Sequence, residues 1–288
     1  MMTRTPRRYV VILVVAVLAL ASPLLWQTLT HKSAKDRIEA DPPPRLFAAK
    51  SVSPLADDIA AQRREAQSRM APWWEAHGRV RDDKAFIAWL GSHAPKPPRP
   101  ADRGQELRPL EALATHRTAN GVAAANWLER NGKKDIWKLY AHDQAEWLPS
   151  SVGDSQKADV KSAIKIAKKV ATKVNARYPA SAPYVLDRRL QSGIHDVRGK
   201  LAAEKRPCPC SYPSKHSIKA AAARTVLSAG SPMRSAEYAW MESEIDYSRL
   251  YMAGHTKSDV LGGTLLGDMV GLYITHANGQ KSLWPAGA

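Results

Sequence analysis

Hydrophobic residues recur at a spacing of three to four through most of the chain, which is the period of an amphipathic α-helix. The pattern predicts four long helices, over 107–128, 158–177, 231–247 and 255–275. In the second of these, one face is apolar and consists of Val160, Ile164, Ala167, Val170 and Val174. Alternating, strand-like runs are few. The predicted fold class is therefore all-α.

Small residues mark how the predicted helices begin and pack. Gly263, Gly267 and Gly271 recur every four residues, so they lie on one face of the last helix and let a neighbouring helix approach closely. Ser231 and Pro232 fit the N-cap and the first turn of the preceding helix.

Residues 1–30 differ from the rest, because basic residues precede an uncharged run whose apolar part, Tyr9 to Trp26, is about long enough to cross a bilayer. The basic flank predicts a signal anchor with its N-terminus in the cytoplasm. The competing interpretation is a signal peptide cleaved after Ala19-Leu20-Ala21. Either interpretation predicts export of the remaining chain. The expected location is a bacterial-type inner membrane with the domain in the periplasm, or the periplasm itself.

Residues 31–100 are polar and rich in proline, with Pro42-Pro43-Pro44 and a second proline cluster over 95–100. This composition predicts a stalk and a proline-rich linker with some helix. Residues 101–288 then form one helical domain, which is long enough to bury a core.

The net charge of +16 favours anionic partners such as phosphate esters or lipid headgroups. One helix carries a run of lysines, interpreted first as a solvated face and alternatively as a phosphate- or lipid-binding surface: Lys161, Lys165, Lys168, Lys169 and Lys173. Cys208 and Cys210 are interpreted as small loop residues, because a bridge across one proline would be strained. No zinc-type cysteine spacing, Walker loop or GxGxxG motif occurs.

The first segment with chemical potential reads Ser-Tyr-Pro-Ser-Lys-His-Ser over 211–217 and precedes an apolar helical run. Ser214 stands just before this helix, where unpaired backbone N–H groups and the helix dipole form an anion site. His216 lies at the same point and can give a proton to a leaving alkoxide. Taken alone, the segment favours a capped helix start with an incidental histidine.

The second segment reads Ser248-Arg249, five residues, His255, three residues, Asp259. On a helix, His255 and Asp259 share one face, so the carboxylate can accept from one imidazole nitrogen and leave the other nucleophilic. Arg249 offers a planar fork of donors for phosphate oxygens. The alternative is a surface His-Asp pair beside an unrelated arginine.

Together the two segments resemble the second and third signature motifs of the type 2 phosphatidic acid phosphatase superfamily, which includes bacterial class A acid phosphatases and vanadium haloperoxidases. The second motif of that family is Pro-Ser-Gly-His, and the third, Ser-Arg, five residues, His, three residues, Asp, is complete here. The resemblance covers roughly 100–275, and 211–263 is its distinctive part. It implies a helical bundle of the acid phosphatase and haloperoxidase type.

The chain departs from the family at two places. Lys215 stands where the family has a glycine whose N–H helps to hold phosphate, a role that lysine can keep if its φ is negative. The first motif, Lys, six residues, Arg-Pro, has two imperfect placements. One aligns it with Asn175 and Ala182, which removes both cations, and the other with Lys200 and Arg206, one residue short. The first placement has the better position.

The resemblance implies a metal-independent phosphatase in which His255 attacks phosphorus, Asp259 orients it and His216 protonates the leaving oxygen. The phosphate would be held by Arg249, Ser214, Lys215, Arg206 and Lys200. The implied substrate is a phosphorylated small molecule or a lipid headgroup, and nucleic acid is not an expected partner. Two alternatives stay open: a haloperoxidase, in which vanadate would be the cofactor, and a catalytically weak, membrane-tethered module that binds phosphate or headgroups.

Overall fold

The computed structural model describes residues 32–47, 55–190 and 211–279. The chain divides into two compact units at Asp41. In the first, α1 (Ala34–Ala40) begins with a capping box, in which the Ser33 hydroxyl accepts from the Asp36 N–H at 3.1 Å and the Asp36 carboxylate accepts from the Ser33 N–H at 2.8 Å. The predicted N-terminal helix, Lys200, Arg206, Cys208 and Cys210 lie outside the described residues.

The second unit is built from helices, and the described residues contain no β-strand, which confirms the predicted all-α class. The described part of the chain also contains two 3₁₀ turns, Arg188–Leu190 and Pro232–Arg234. The α-helices are α2 (Ala56–His77), α3 (Asp83–His93), α4 (Pro100–Gln105), α5 (Leu107–Thr115), α6 (Ala119–Asn131), α7 (Asp135–Ala145), α8 (Ser150–Arg177), α9 (Pro183–Leu186), α10 (Lys215–Gly230), α11 (Ser235–Tyr251) and α12 (Lys257–Ala277).

Helix α10 runs through the middle of the bundle and packs against α8, α11 and α12. Its contact with α12 is close because glycines face it: a Cβ added to Gly267 would lie 2.4 Å from the Ile218 carbonyl oxygen, and one added to Gly263 would lie 2.8 Å from the Ser214 carbonyl oxygen. The predicted glycine strip is thereby confirmed. The glycines let the backbone of α12 lie directly against α10. The N-terminal ends of both helices are thereby brought together.

The predicted stalk and linker over 31–100 was wrong for residues 56–93. Helix α2 packs against α12, and α3 packs against α8. Met70 and Phe86 are fully buried, and Trp73 meets the Phe86 ring edge-on at 5.2 Å. The apolar stripe of α2 lies among many charged residues, so the mean composition of the segment concealed it. The helical domain therefore starts well before residue 101.

Several helix boundaries also differ from the predicted ones. The segment 107–128 contains a break, because Thr118 caps α6 by accepting from the Gly121 N–H at 3.1 Å. Helix α8 begins at Ser150 instead of 158, and α11 begins at Ser235, after a 3₁₀ turn that follows Ser231. Of these starts, that of α6 has a side-chain cap, whereas α8 and α11 begin without one, and periodicity alone did not locate the three ends.

Within the described ranges, every helix is too short or too polar to cross a bilayer. The predicted membrane-spanning run, Tyr9 to Trp26, falls outside those ranges.

Candidate active site

The two motif segments meet at one end of the bundle, where α10 and α12 begin and α11 ends. The loop before α10 is tied to α12, because the Ser214 N–H donates to the Asp259 carbonyl at 2.9 Å. Helix α11 ends in a tight turn in which Ala253 is left-handed (φ 53°) and the Gly254 N–H donates to the Arg249 carbonyl at 3.0 Å. This turn places His255 near Arg249.

His255 precedes α12 instead of lying on it, so its expected pairing with Asp259 changes. Its Nδ1 is 3.0 Å from the Ser211 carbonyl oxygen but 3.8 Å from the Asp259 carboxylate. The predicted hydrogen bond to Asp259 is therefore absent. A carbonyl can only accept, so Nδ1 carries the proton and Nε2 carries the lone pair. The tautomer needed for attack by Nε2 is fixed by Ser211.

Burial lowers the pKa of His255 to about 4, against the opposing effect of Asp259, and the positive charge of Arg249 lowers it further. The side chain keeps 17% of its surface exposed. His255 is thus a neutral imidazole at neutral pH with access to solvent, as a nucleophile requires.

Asp259 fixes the backbone segments on either side of His255. Its carboxylate accepts from the Thr256 N–H at 2.9 Å in a capping box at the start of α12. It also accepts from both terminal nitrogens of Arg103, at 2.7 and 3.3 Å. Arg103 in turn donates to the Ser211 hydroxyl at 3.1 Å. Asp259 therefore orients His255 indirectly, by fixing the segment whose carbonyl accepts from the imidazole.

His216 and Arg249 share one carboxylate, that of Glu129 on α6. The His216 Nε2 lies 3.2 Å from a Glu129 carboxylate oxygen, and Arg249 forms an ion pair with the same oxygen. Lys133 donates to the other oxygen at 2.8 Å. Both Glu129 and Arg249 also act electrostatically on His255, so the two imidazoles belong to one site.

The same contacts set the protonation states. Burial alone would raise the pKa of Glu129, but His216, Arg249 and Lys133 hold it well below its usual value. Burial and the Arg249 charge push the pKa of His216 well below its ordinary value, against the attraction of Glu129. The free site therefore contains an ionised glutamate and two neutral imidazoles.

The residues predicted to bind phosphate differ in their burial and in the hydrogen bonds that they already make. Arg249 is buried, and its Nε and Nη2 donate to the Ser248 hydroxyl at 3.1 and 2.9 Å, so much of its fork is already engaged. Ser214 is fully buried and caps α10 by accepting from the Ser217 N–H at 3.3 Å. Lys215 begins α10 with an exposed side chain and without a positive φ, which is the backbone conformation that its expected role requires.

Of the two placements of the first motif, only the one on Asn175 and Ala182 falls in the described residues, and neither residue is a cation. Asn175 donates to the Tyr212 carbonyl at 3.0 Å, and Ala182 is buried at the start of α9. The guanidinium of Arg103 lies beside this region, since it donates to the Ser181 carbonyl at 2.8 Å. Arg103 comes from α4, outside every motif. It supplies positive charge near Ala182, where the expected first motif would have had an arginine.

Arg103 and Glu129 were missed because both lie far from the motifs in sequence, 156 residues before Asp259 and 87 before His216. The only available signal was the demand of each buried charged motif residue for a partner of opposite charge.

An apolar cavity of about 710 Å³ lies next to the first turn of α12. Glu106 on its wall accepts from the Ser258 N–H at 2.8 Å, and Lys257 stands at its edge. The remaining wall is mostly aliphatic, with Leu55, Leu110, Leu113 and Leu250. The cavity can hold an apolar group close to the site.

In the described residues, fold and site together define a helical bundle with two neutral histidines and buried ion pairs at one end. No family model, curated protein or solved structure matches the chain.

Proposed function

We propose that the protein is a metal-independent phosphomonoester hydrolase that works through a phosphohistidine on His255. The supporting observation is the state of His255, neutral, partly exposed and with its tautomer fixed by the Ser211 carbonyl at 3.0 Å. A second neutral histidine and a guanidinium lie at the same site. This combination provides a nucleophile, a proton carrier and a cation for an oxyanion.

The chemistry proceeds in two displacements. The His255 Nε2 attacks phosphorus as the bond to the leaving oxygen breaks, and that oxygen takes a proton from His216. Water then attacks the phosphohistidine, the N–P bond breaks, and His216 receives the proton of the water. Arg249 and the N–H groups in the first turn of α10 stabilise the equatorial oxygens, where charge accumulates.

His216 must gain a proton before the first displacement, although it is neutral in the free site. A bound phosphate dianion supplies negative charge that favours the imidazolium. The Glu129 carboxylate, 3.2 Å from the His216 Nε2, favours it as well. Substrate binding therefore prepares the general acid.

The contact between Glu129 and Arg249 supports a second candidate, a module that binds phosphate without turnover. A carboxylate already accepts from the guanidinium that phosphate would need. Hydrolysis requires this ion pair to loosen when substrate enters, whereas simple binding at the rim does not. Turnover distinguishes the two candidates.

The setting follows from the remaining sequence features. We infer a bundle of the acid phosphatase type, anchored in or exported across a bacterial-type inner membrane by residues 1–30, with the site in the periplasm. The substrate is a phosphorylated small molecule or a lipid headgroup. The cavity beside α12 offers room for an apolar part of either.

The test is phosphate release from p-nitrophenyl phosphate by the full chain and its His255→Ala variant. The variant should lose about a thousandfold or more in kcat/KM, because the attacking atom is gone. Vanadate should inhibit the unaltered protein. The matched control is His142→Ala, which removes a half-exposed imidazole on α7 and should leave turnover intact. Equal turnover by the His255 variant would refute the proposal.

Acid dependence gives a second check on the nucleophile. Because the pKa of His255 is lowered to about 4, Nε2 stays unprotonated down to that pH, so kcat/KM should persist through pH 5 and fall tenfold per unit below about 4. The measurement is kcat/KM against pH with folding followed by circular dichroism. A fall in kcat/KM centred near pH 6.5, with the fold intact, would contradict this environment for His255.

A further inference from the structure

The loop that leads into α10 carries the carbonyl that fixes the tautomer of His255. The Ser211 carbonyl oxygen lies 3.0 Å from the His255 Nδ1. The Ser211 N–H donates to the Ala180 carbonyl at 3.0 Å. In the next residue of the loop, the Tyr212 carbonyl accepts from the Asn175 side chain at 3.0 Å. The position of the acceptor therefore depends on the neighbouring elements that hold this loop.

One side chain, that of Arg103 on α4, joins this loop to two other segments around His255. Its Nη2 donates to the Ser211 hydroxyl at 3.1 Å and to the Ser181 carbonyl at 2.8 Å. Its two terminal nitrogens donate to the Asp259 carboxylate at 2.7 and 3.3 Å. A single guanidinium thus links the segment before α9, the loop before α10 and the first turn of α12.

The surroundings of Arg103 suit it to holding protein groups in place. Its side chain is 3% exposed, and the Asp259 carboxylate that engages both terminal nitrogens is fully buried. Asp259 is itself fixed, because it accepts from the Thr256 N–H at 2.9 Å. Contacting two oxygens of one carboxylate and two further acceptors requires the planar fork of an arginine, which an ammonium group cannot reproduce.

We propose that Arg103 is a positioning residue for His255, which acts through the Ser211 carbonyl and does not touch the substrate. The proposal rests on the proposed function, in which the His255 Nε2 is the attacking atom. With Arg103 in place, the loop holds its acceptor against Nδ1, and the lone pair stays on Nε2. Without Arg103, the loop loses its link to the Asp259 carboxylate, and the imidazole can adopt either tautomer.

The first test reads the tautomer directly. Long-range proton–nitrogen correlation spectra of the full chain, with isotope-labelled histidine, should show the His255 proton on Nδ1 at neutral pH. The signal of His255 is the one that His255→Ala removes. In Arg103→Gln, the same signal should report a mixture of both tautomers, because the acceptor is no longer held against Nδ1.

Kinetics with p-nitrophenyl phosphate give the second readout. Arg103→Gln should lower kcat about a hundredfold, because the attacking atom is misplaced. KM and the inhibition constant of inorganic phosphate should stay within about twofold, since a positioning residue makes no contact with phosphate. A residue that bound phosphate would give the opposite pattern, with both constants raised about tenfold or more.

A milder variant guards against loss of the fold, since Arg103 is buried. Ser211→Ala removes one acceptor and keeps both the Ser211 carbonyl and the pair between Arg103 and Asp259. It should change the tautomer in the same direction and lower kcat about tenfold. The matched control is Arg99→Gln, at the exposed start of the same helix, where Arg99 donates to Asp102 at 2.8 Å. It should change neither readout, and thermal melting shows which variants are folded.

The two readouts separate this proposal from the proposed function. A changed tautomer in Arg103→Gln or Ser211→Ala, in a full chain that releases no phosphate, would reject the hydrolase and retain the positioning role. An unchanged tautomer in the folded variants would overturn the proposal whatever their kcat, and Ser211→Ala alone decides if Arg103→Gln does not fold. A raised inhibition constant of phosphate with kcat unchanged would also overturn it, by making Arg103 a phosphate ligand.

Discussion

The bundle buries two groups of charged residues, one with an excess of negative charge and the other with an excess of positive charge. The core cluster lies in the middle of the bundle and consists of Arg63, Arg224, Glu242, Asp246 and Asp268, contributed by α2, α10, α11 and α12. There, carboxylates outnumber guanidiniums. At the candidate site, three cations, Arg103, Arg249 and Lys133, are paired with two carboxylates, Asp259 and Glu129.

The core cluster is closed and tightly paired. Arg224 donates to Glu242 at 2.9 Å and forms an ion pair with Asp268, while Arg63 donates to Glu242 at 2.6 Å. Asp246 accepts from the Thr264 hydroxyl at 3.2 Å, and its other oxygen has no hydrogen-bond partner in the described part of the chain. The surplus carboxylate is thus Asp246.

The two clusters neutralise their excess charge differently. Burial, together with the nearby Glu242, raises the pKa of Asp246 well above its ordinary value, so the core neutralises its surplus with a proton. The site opens to solvent, and its surplus is positive. Under the proposed function, an anionic substrate neutralises it. The closed cluster is therefore suited to holding helices together, and the open one to binding.

Replacing an arginine in each cluster should give the largest contrast. Arg224→Met leaves Glu242 and Asp268 with fewer partners inside the bundle and should cost about 3–5 kcal/mol of unfolding free energy. Arg249→Met should cost less than half of that, because Glu129 keeps Lys133 and His216, yet it should abolish phosphate release. Urea denaturation and the phosphatase assay measure the two effects. Equal stability losses would remove the distinction between the clusters.

The protonation of Asp246 can be tested through pH. Its pKa is higher folded than unfolded, so between those values the folded state binds more protons and stability falls as pH rises, by up to about 1.4 kcal/mol per unit. Asp246→Asn should therefore stabilise the protein near pH 7 and have little effect near pH 4. Chemical denaturation across that range checks it. A destabilised variant at neutral pH would show that the native carboxyl is ionised.

The two histidines of the site change the stability of the fold with pH in the opposite direction. Their folded pKa values lie below the unfolded value, so below about pH 6.5 the unfolded chain takes up protons that the folded site refuses, and stability falls with acid by up to about 1.4 kcal/mol per unit each. In Asp246→Asn this acid slope should become steeper, because the compensating carboxyl is gone.

Much of the helical architecture could be predicted from periodicity, because α8, α11 and α12 carry continuous apolar faces. Helix α2 could not, since its buried residues are scattered among charges and become a stripe only when α12 covers them. The glycine strip was readable because close helix approach leaves room for hydrogen alone at Gly267.

The candidate site, like the fold, could be predicted from the sequence only in part. The motifs located His216, Arg249, His255 and Asp259, but they did not show which groups those residues contact. The Ser211 carbonyl took the bond expected of Asp259, because His255 stands before the helix and not on it. The position of Glu129 depends on the packing of α6 against α11, which no local pattern encodes.

The smallest predicted effect concerns this glutamate. Glu129→Gln keeps the shape of the side chain and removes its charge, so Arg249 and Lys133 lose their shared anion and attract phosphate more strongly. We expect the inhibition constant of vanadate to fall about tenfold, a change of about 1.4 kcal/mol. Turnover should fall at the same time, because Glu129 no longer favours a protonated His216.

Inhibition and turnover by the full chain and by Glu129→Gln measure both effects, and Glu237→Gln, on the exposed start of α11, is the matched control. Weaker vanadate inhibition in the Glu129 variant would mean that this carboxylate orders Arg249 for phosphate instead of competing with it. Glu129 would then be part of the phosphate-binding site itself. The contrast between the site and the core cluster would rest only on the access of solvent to the site.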